Sequence, residues 1–253
     1  MKLRVITPIT THGFASAEGF LDIIRPDTEL SHVELDYGPA SIESDYDEML
    51  ATPDTVAKII EAEQDGMDAV IINCMGDPGM QAGREVVSIP VIGPCEATMH
   101  VASMLGHTFS VITVMKCLRR QFENQAKVYG VRDKLASVRA VEIPVLELED
   151  DTDRLVQLLA DEAQAAVEQE GVHVMLFGCT GMLGAAAAVE RELAARGYPS
   201  VPVIDSMVWA IKMAEAIVDM GLRHSKLSWP QPPAKRIVGY DFVRRQPTAV
   251  AAD

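Results

Sequence analysis

Cys74 and Cys179 each close a near-copy of one segment, EAEQDGMDAVIINC from Glu61 and AVEQEGVHVMLFGC from Ala166, at a constant offset of 105 residues. In both, a charged helix end meets a glycine, then an apolar run, then the cysteine. That order is helix, tight turn and buried strand. Both thiols are therefore expected at the C-terminal end of a strand, where open α/β sheets receive ligands. One cysteine from each copy can then flank opposite sides of one small molecule. Cys74 is followed by Met75-Gly76-Asp77-Pro78-Gly79 and Cys179 by Thr180-Gly181-Met182-Leu183-Gly184. Glycine-rich turns let backbone N–H groups approach a ligand closely. A helix is expected soon after each, and its positive end favours a thiolate. A free thiol has a pKa of about 8.5, so a downward shift of one to two units makes thiolate available near neutral pH.

The repetition extends to the elements that must position these residues. Leu3–Thr7 (LRVIT) matches Phe109–Thr113 (FSVIT), and SIPVIG from Ser88 matches SVPVID from Ser200. A period near 105 residues is too long for a solenoid repeat and suits a small α/β lobe. Strands are expected at Leu3–Thr7, His32–Leu35, Ala69–Asn73, Val91–Ile92, Phe109–Thr113, Val138–Ile143, Val174–Phe177 and Val203–Ile204. Helices are expected at Asp54–Asp65, Glu96–Met104, Arg119–Tyr129, Asp151–Gln169, Leu183–Arg196 and Met207–Met220. Alternating β and α elements imply parallel sheets covered by helices. The duplication favours two pseudo-symmetric, flavodoxin-like lobes, each with a four-stranded parallel sheet and with the site in the cleft between them. Lobe one is expected over 1–97 plus 208–240, lobe two over 98–207, and a C-terminal tail over 241–253.

Other residues fall into place around that cleft. Pro8, Ile9 and Thr10 follow the first strand of one copy, and Thr113 and Val114 end that of the other. Asn73, Met75, Gly76, Thr180, Gly181 and Met182 border the cysteines. Thr10, Thr113 and Thr180 can address a substrate's polar edge, while Met75 and Met182 favour an apolar pocket. Cys95 and Cys117 lack the symmetry and read as packing or bystander residues. Glu96 reads as a helix-start carboxylate, with a site carboxylate as the alternative. The histidines show no metal-ligand spacing, and no P-loop or GxGxxG follows a strand, so neither metal nor nucleotide cofactor is expected.

At 253 residues and 48% hydrophobic, the chain can bury one large core or two modest ones. A formal charge of −15 disfavours nucleic acid and anionic membranes as partners. No apolar run spans a membrane, the N-terminus lacks a signal-peptide core, and four unpaired-looking cysteines fit a reducing compartment. A cytoplasmic protein is expected.

The runs Asn73–Gly79, Pro90–Ala97 and Gly178–Met182 resemble those of the aspartate/glutamate/hydantoin racemase superfamily, over about Lys2 to Trp229. Cys-x-Gly-Asp-Pro-Gly and Gly-Cys-x-Gly-Met resemble the hydantoin and allantoin racemase branch. Amino-acid racemases of the superfamily usually have Cys-Asn-Thr at the first cysteine, and Cys-Thr-Glu or a relative at the second. Hydantoin racemases commonly have Asn-Pro-Asn near the end of the first strand, where this chain has Pro8-Ile9-Thr10. The resemblance implies a cofactor-independent racemase of 5-substituted hydantoins or a ring analogue such as allantoin, with Cys74 and Cys179 as the two bases. A homo-oligomer acting on a small molecule is expected. The rival readings are an amino-acid racemase, a decarboxylase of the arylmalonate type using one cysteine, and a two-lobed binding protein without chemistry.

Overall fold

The computed structural model describes residues 1–14 and 18–243. Lobe one runs β1 (Lys2–Thr7), α1 (Glu18–Leu21), β2 (Glu29–Glu34), α2 (Asp45–Gln64), β3 (Ala69–Ile72), α3 (Met80–Val86), β4 (Val91–Ile92) and α4 (Pro94–Leu105). Lobe two repeats the scheme with β5 (Phe109–Thr113), α5 (Arg119–Val128), β6 (Leu135–Ala140), α6 (Thr152–Glu170), β7 (Val174–Phe177), α7 (Ala186–Ala195), β8 (Val203–Ile204) and α8 (Ser206–Asp219). The two four-stranded sheets have matching orders, β2-β1-β3-β4 and β6-β5-β7-β8. Every pairing in them is parallel. The central strands β3 (AVII) and β7 (VMLF) are buried at every position, as parallel strands covered on both faces must be.

In each sheet the chain leaves the first strand towards one edge and returns on that strand's other side. The crevice where the order reverses lies beyond β1 and β3 in lobe one and beyond β5 and β7 in lobe two. The register there is the same in both. Ile6 pairs with Ile72 and the next amide, of Asn73, donates to Ile6 O at 2.7 Å; Ile112 pairs with Phe177 and the Gly178 amide donates to Ile112 O at 2.7 Å.

The chain crosses between lobes twice. Helix α4 gives Ala97 to the core of lobe one, and Met99, Val101 and Ala102 to that of lobe two. Helix α8 returns to lobe one, where Met207, Ala210, Ile211 and Ala214 pack with Val5, Ala69, Ile71 and Ile92. No helix among the described residues is long and apolar enough to cross a membrane.

Several expected boundaries move. Helix α2 begins at Asp45, nine residues before the expected start, with Ser44 as its N-cap and Pro53 inside it. Proline normally ends a helix, but the extra turns are held from lobe two, by Gln121 on Glu48 and Arg120 on Asp45. Strand β6 begins three residues early and ends at Ala140, because Glu142 turns to a φ of 58°. Helix α7 starts only at Ala186, since Gly184 adopts a φ of 85°. Short α1 and α3 carried no periodicity long enough to read. Of the expected tail, Asp241–Val243 form a turn against α2, with the Phe242 ring 5.0 Å from that of Tyr37; residues 244–253 lie outside the described residues.

Candidate active site

Both reversal crevices open into one cavity of about 50 Å³, and Cys74 and Cys179 both line it. The end of β1 contributes Thr7, Pro8 and Ile9, and the turn after β3 contributes Asn73 to Gly76. Lobe two answers with Val114 after β5 and Gly178 to Gly181 after β7. Phe14, Ile42, Leu118, Gln121, Phe122 and Val145 close the sides. None of the described residues that line it carries a charged side chain. The space holds a few waters and is well below the roughly 300–1,000 Å³ of ordinary ligand pockets. Substrate entry therefore requires the two lobes, or the loops at their edges, to part.

Glycine is required at one point on this wall, and a second glycine leaves little room for a side chain. A Cβ on Gly178 would come within 2.8 Å of Thr113 Cβ and 2.9 Å of Val111 Cγ1. One on Gly76 would lie 2.8 Å from Glu48 Oε2 and 3.0 Å from Gln121 Nε2, the pair that bridges the lobes. Further bridges hold the cleft shut. Thr180 Oγ1 donates to Asn73 O at 3.1 Å, joining the two cysteine loops directly. Gln125 Nε2 on α5 donates to Met75 O at 3.1 Å and Gly76 O at 2.8 Å. Tyr129 Oη donates across the cleft to Asp77 at 2.6 Å, and Asp77 is itself held within lobe one by the Cys95 and Glu96 amides at 3.1 and 3.0 Å.

Three expected site residues do not reach the cavity. Thr10 Oγ1 donates to Pro39 O at 3.2 Å, Thr113 Oγ1 to Gly178 O at 3.5 Å, and Met182 lies in the lobe-two core. Short hydroxyls beside a turn satisfy nearby carbonyls first. Pro8, Ile9, Asn73, Met75, Gly76, Val114, Thr180 and Gly181 are on the wall. Glu96 pairs instead with Arg84, which also donates to Val91 O at 3.1 and 3.0 Å. Cys95 is fully buried, its thiol donating to Gln125 Oε1 at 3.3 Å, and Cys117 is exposed. The closing residues Phe14, Ile42, Leu118, Gln121, Phe122 and Val145 left no mark in the sequence as a group; the repeat marks strand ends, and these come from helix faces and loops. Among the described residues, no three His, Cys, Asp or Glu side chains are grouped to hold a metal ion.

The thiols depart from expectation in their acidity. Burial pushes Cys179 up to about 11, against a backbone N–H from Gly181 that pulls it down and the charge of Glu43 that adds to the rise. Burial also raises Cys74, opposed by the Gly76 N–H donating to its sulfur at 3.4 Å and reinforced by Glu48. The α-helices expected to lower both begin six and seven residues further along the chain, and the turn that Cys179 itself caps, Thr180–Met182, is a single short 3-10 turn. Helix α3 starts at Met80 and α7 at Ala186, while a helix dipole acts mainly within its first turn. Burial beside Asp77 and Asp45 likewise pushes Glu48 up to about 7.

A sequence profile of the Asp/Glu/hydantoin racemase family matches residues 13–214. The chain belongs to that family. It is 39% identical to the hydantoin racemase of Pseudomonas sp. over 255 residues, covering 98% of this chain and 99% of that one. Its structure superposes on the allantoin racemase from Klebsiella pneumoniae with a TM-score of 0.88 at 30% identity, covering 96% of this chain and 98% of that one. These two relatives put the racemase chain in the hydantoin and allantoin branch. Glutamate racemase from Francisella tularensis superposes with a TM-score of 0.62, over 88% of this chain and 84% of that one; at 15% identity it shares the fold alone.

Proposed function

We propose that this family member racemises 5-substituted hydantoins, or a close ring analogue such as allantoin, without a cofactor, one of Cys74 and Cys179 removing the substrate's proton and the other delivering one to the opposite face. The observation that carries the reading is that two thiols from equivalent strand ends line one cavity. One cysteine, as thiolate, takes the hydrogen of the ring carbon beside the carbonyl and becomes a thiol. The electron pair is held as an enolate. The other cysteine, as thiol, donates a proton to the opposite face and is left as thiolate. For the other enantiomer the roles reverse. Each positioned acid or base contributes typically about 10²–10⁴-fold. Backbone N–H groups in the glycine-bearing turns are suited to the enolate oxygen.

The uncharged wall supports a neutral ring over a free amino acid. An ammonium and a carboxylate moved into such a cavity lose hydration that a wall without charged partners replaces only in part. A hydantoin also forms its enolate more readily, because its reacting carbon is not beside a free carboxylate. A decarboxylase would use one thiol and leave the second without a role. The test is incubation of enantiopure 5-substituted hydantoins, allantoin and aspartate in D₂O, read by polarimetry and by NMR of the α-hydrogen. Ring racemisation with solvent deuterium incorporated is expected. Far better turnover of aspartate would overturn the substrate, and racemisation that needs added metal or pyridoxal phosphate would overturn the mechanism.

A further inference from the structure

Asn73 precedes the first cysteine, lines the cavity and is only 6% exposed. Its two amide atoms are treated differently. Nδ2 donates to Thr7 Oγ1 at 2.9 Å, and Thr7 Oγ1 in turn meets His32 Nε2 at 2.7 Å. Oδ1 has no hydrogen-bond partner among the described residues, one of only two buried side-chain atoms of which that is true. Buried polar atoms are nearly always paired, and an unpaired one in a binding cavity points to a ligand atom of opposite polarity.

From this geometry we propose that Asn73 Oδ1 accepts a hydrogen bond from a ring N–H of the substrate, and that Thr7 and His32 hold the amide so that its oxygen faces the ligand. The proposal rests on the ring-racemase reading and goes further, by making an N–H donor a requirement of the site. A hydroxyl has one proton to give. Thr7 Oγ1 accepts from Asn73 Nδ2 and keeps its own proton to donate to His32 in the tautomer whose Nε2 carries the lone pair. Burial lowers the pKa of His32 and keeps that ring neutral, outweighing the pull of Glu34. The opposite polarity would present the amide's NH₂ and select an acceptor instead. Asn73 is thus assigned to substrate recognition, with Thr7 and His32 as positioning residues. The reading also accounts for Thr180, which bonds the Asn73 backbone carbonyl at 3.1 Å and braces the residue from the other lobe.

The experiment compares kcat/KM for a 5-substituted hydantoin, its N1-methyl and N3-methyl forms, and the oxazolidine-2,4-dione in which oxygen replaces N1–H at nearly the same size. Each value is normalised to the compound's own base-catalysed deuterium exchange, which removes differences in carbon acidity. Loss of the one N–H that Asn73 reads should cost the wild type about 5- to 150-fold, the usual range for stranding a buried acceptor. Asn73→Ala should lose a similar factor on the parent hydantoin and show little further loss on the matching analogue. Thr7→Val should narrow the ratio between parent and analogue, which a purely structural role of the hydroxyl would leave unchanged. Wild-type rates within threefold across all the rings would overturn the proposal while leaving the racemase reading intact, with no variant needed. Failure to racemise any ring would overturn both.

Discussion

Alkylation of Cys179 should titrate late. Its sulfur lies in a cavity of about 50 Å³ with no charged side chain among the described residues of its wall, and its pKa is pushed up to about 11. At pH 7 the thiolate fraction is then about 10⁻⁴, against about 3% for an unperturbed thiol of pKa about 8.5. Iodoacetamide attacks the thiolate, so Cys179 should react about 300-fold more slowly than an unperturbed thiol from protonation alone. Restricted entry slows it further, by a factor that does not change the slope with pH. The rate should therefore rise tenfold per pH unit from 7 to 10 without a plateau. Digestion and mass spectrometry of samples quenched over that range would follow each cysteine separately, with exposed Cys117 reporting the accessible reaction. For the enantiomer that Cys179 deprotonates, the same proton must leave before catalysis, so kcat/KM in that direction should climb through neutral pH. Half-titration of Cys179 below pH 8 would refute the reasoning, because it would mean that the Gly181 N–H and nearby dipoles outweigh burial.

Cys74→Ala and Cys179→Ala should each abolish racemisation, while one of them still exchanges the α-hydrogen of one enantiomer for deuterium; substantial racemisation by either variant contradicts two-base chemistry. Cys117→Ala should be silent in activity, and Cys95→Ala should cost about 1 kcal/mol of stability through the lost bond to Gln125, measurable in urea. Gly76→Ala places a methyl between Glu48 and Gln121, so it should cost about 1–3 kcal/mol and lower kcat/KM at least tenfold, as urea melts and steady-state rates would report. Glu48 has a folded pKa raised to about 7 from an ordinary value near 4.5, so its burial penalty is absent below about pH 4 and grows as pH rises to 7. Glu48→Gln should therefore match the wild type near pH 4 and exceed it above pH 7 by up to about 3 kcal/mol, read from denaturation midpoints across pH; a gap that shrinks as pH rises would reverse the sign of this argument.

The 105-residue repeat was enough to determine the parallel α/β architecture and the equivalence of Cys74 and Cys179. Each copy is a lobe that buries its own strands, so hydrophobic runs such as AVII and VMLF report local burial directly. Asn73, Gly76 and Gly181 were legible for the same reason, because they adjoin strand ends. Tertiary structure alone decided how the lobes meet. Gln121 on Glu48, Gln125 on Gly76 and Thr180 on Asn73 join residues separated by 49 to 107 positions and leave no periodic trace. Those contacts extend α2 back past Pro53 and close the cavity with Leu118 and Phe122. They also settle the acidity of the cysteines. A thiol's pKa depends on how much water the opposing lobe removes, and the residues that remove it are distant in the chain.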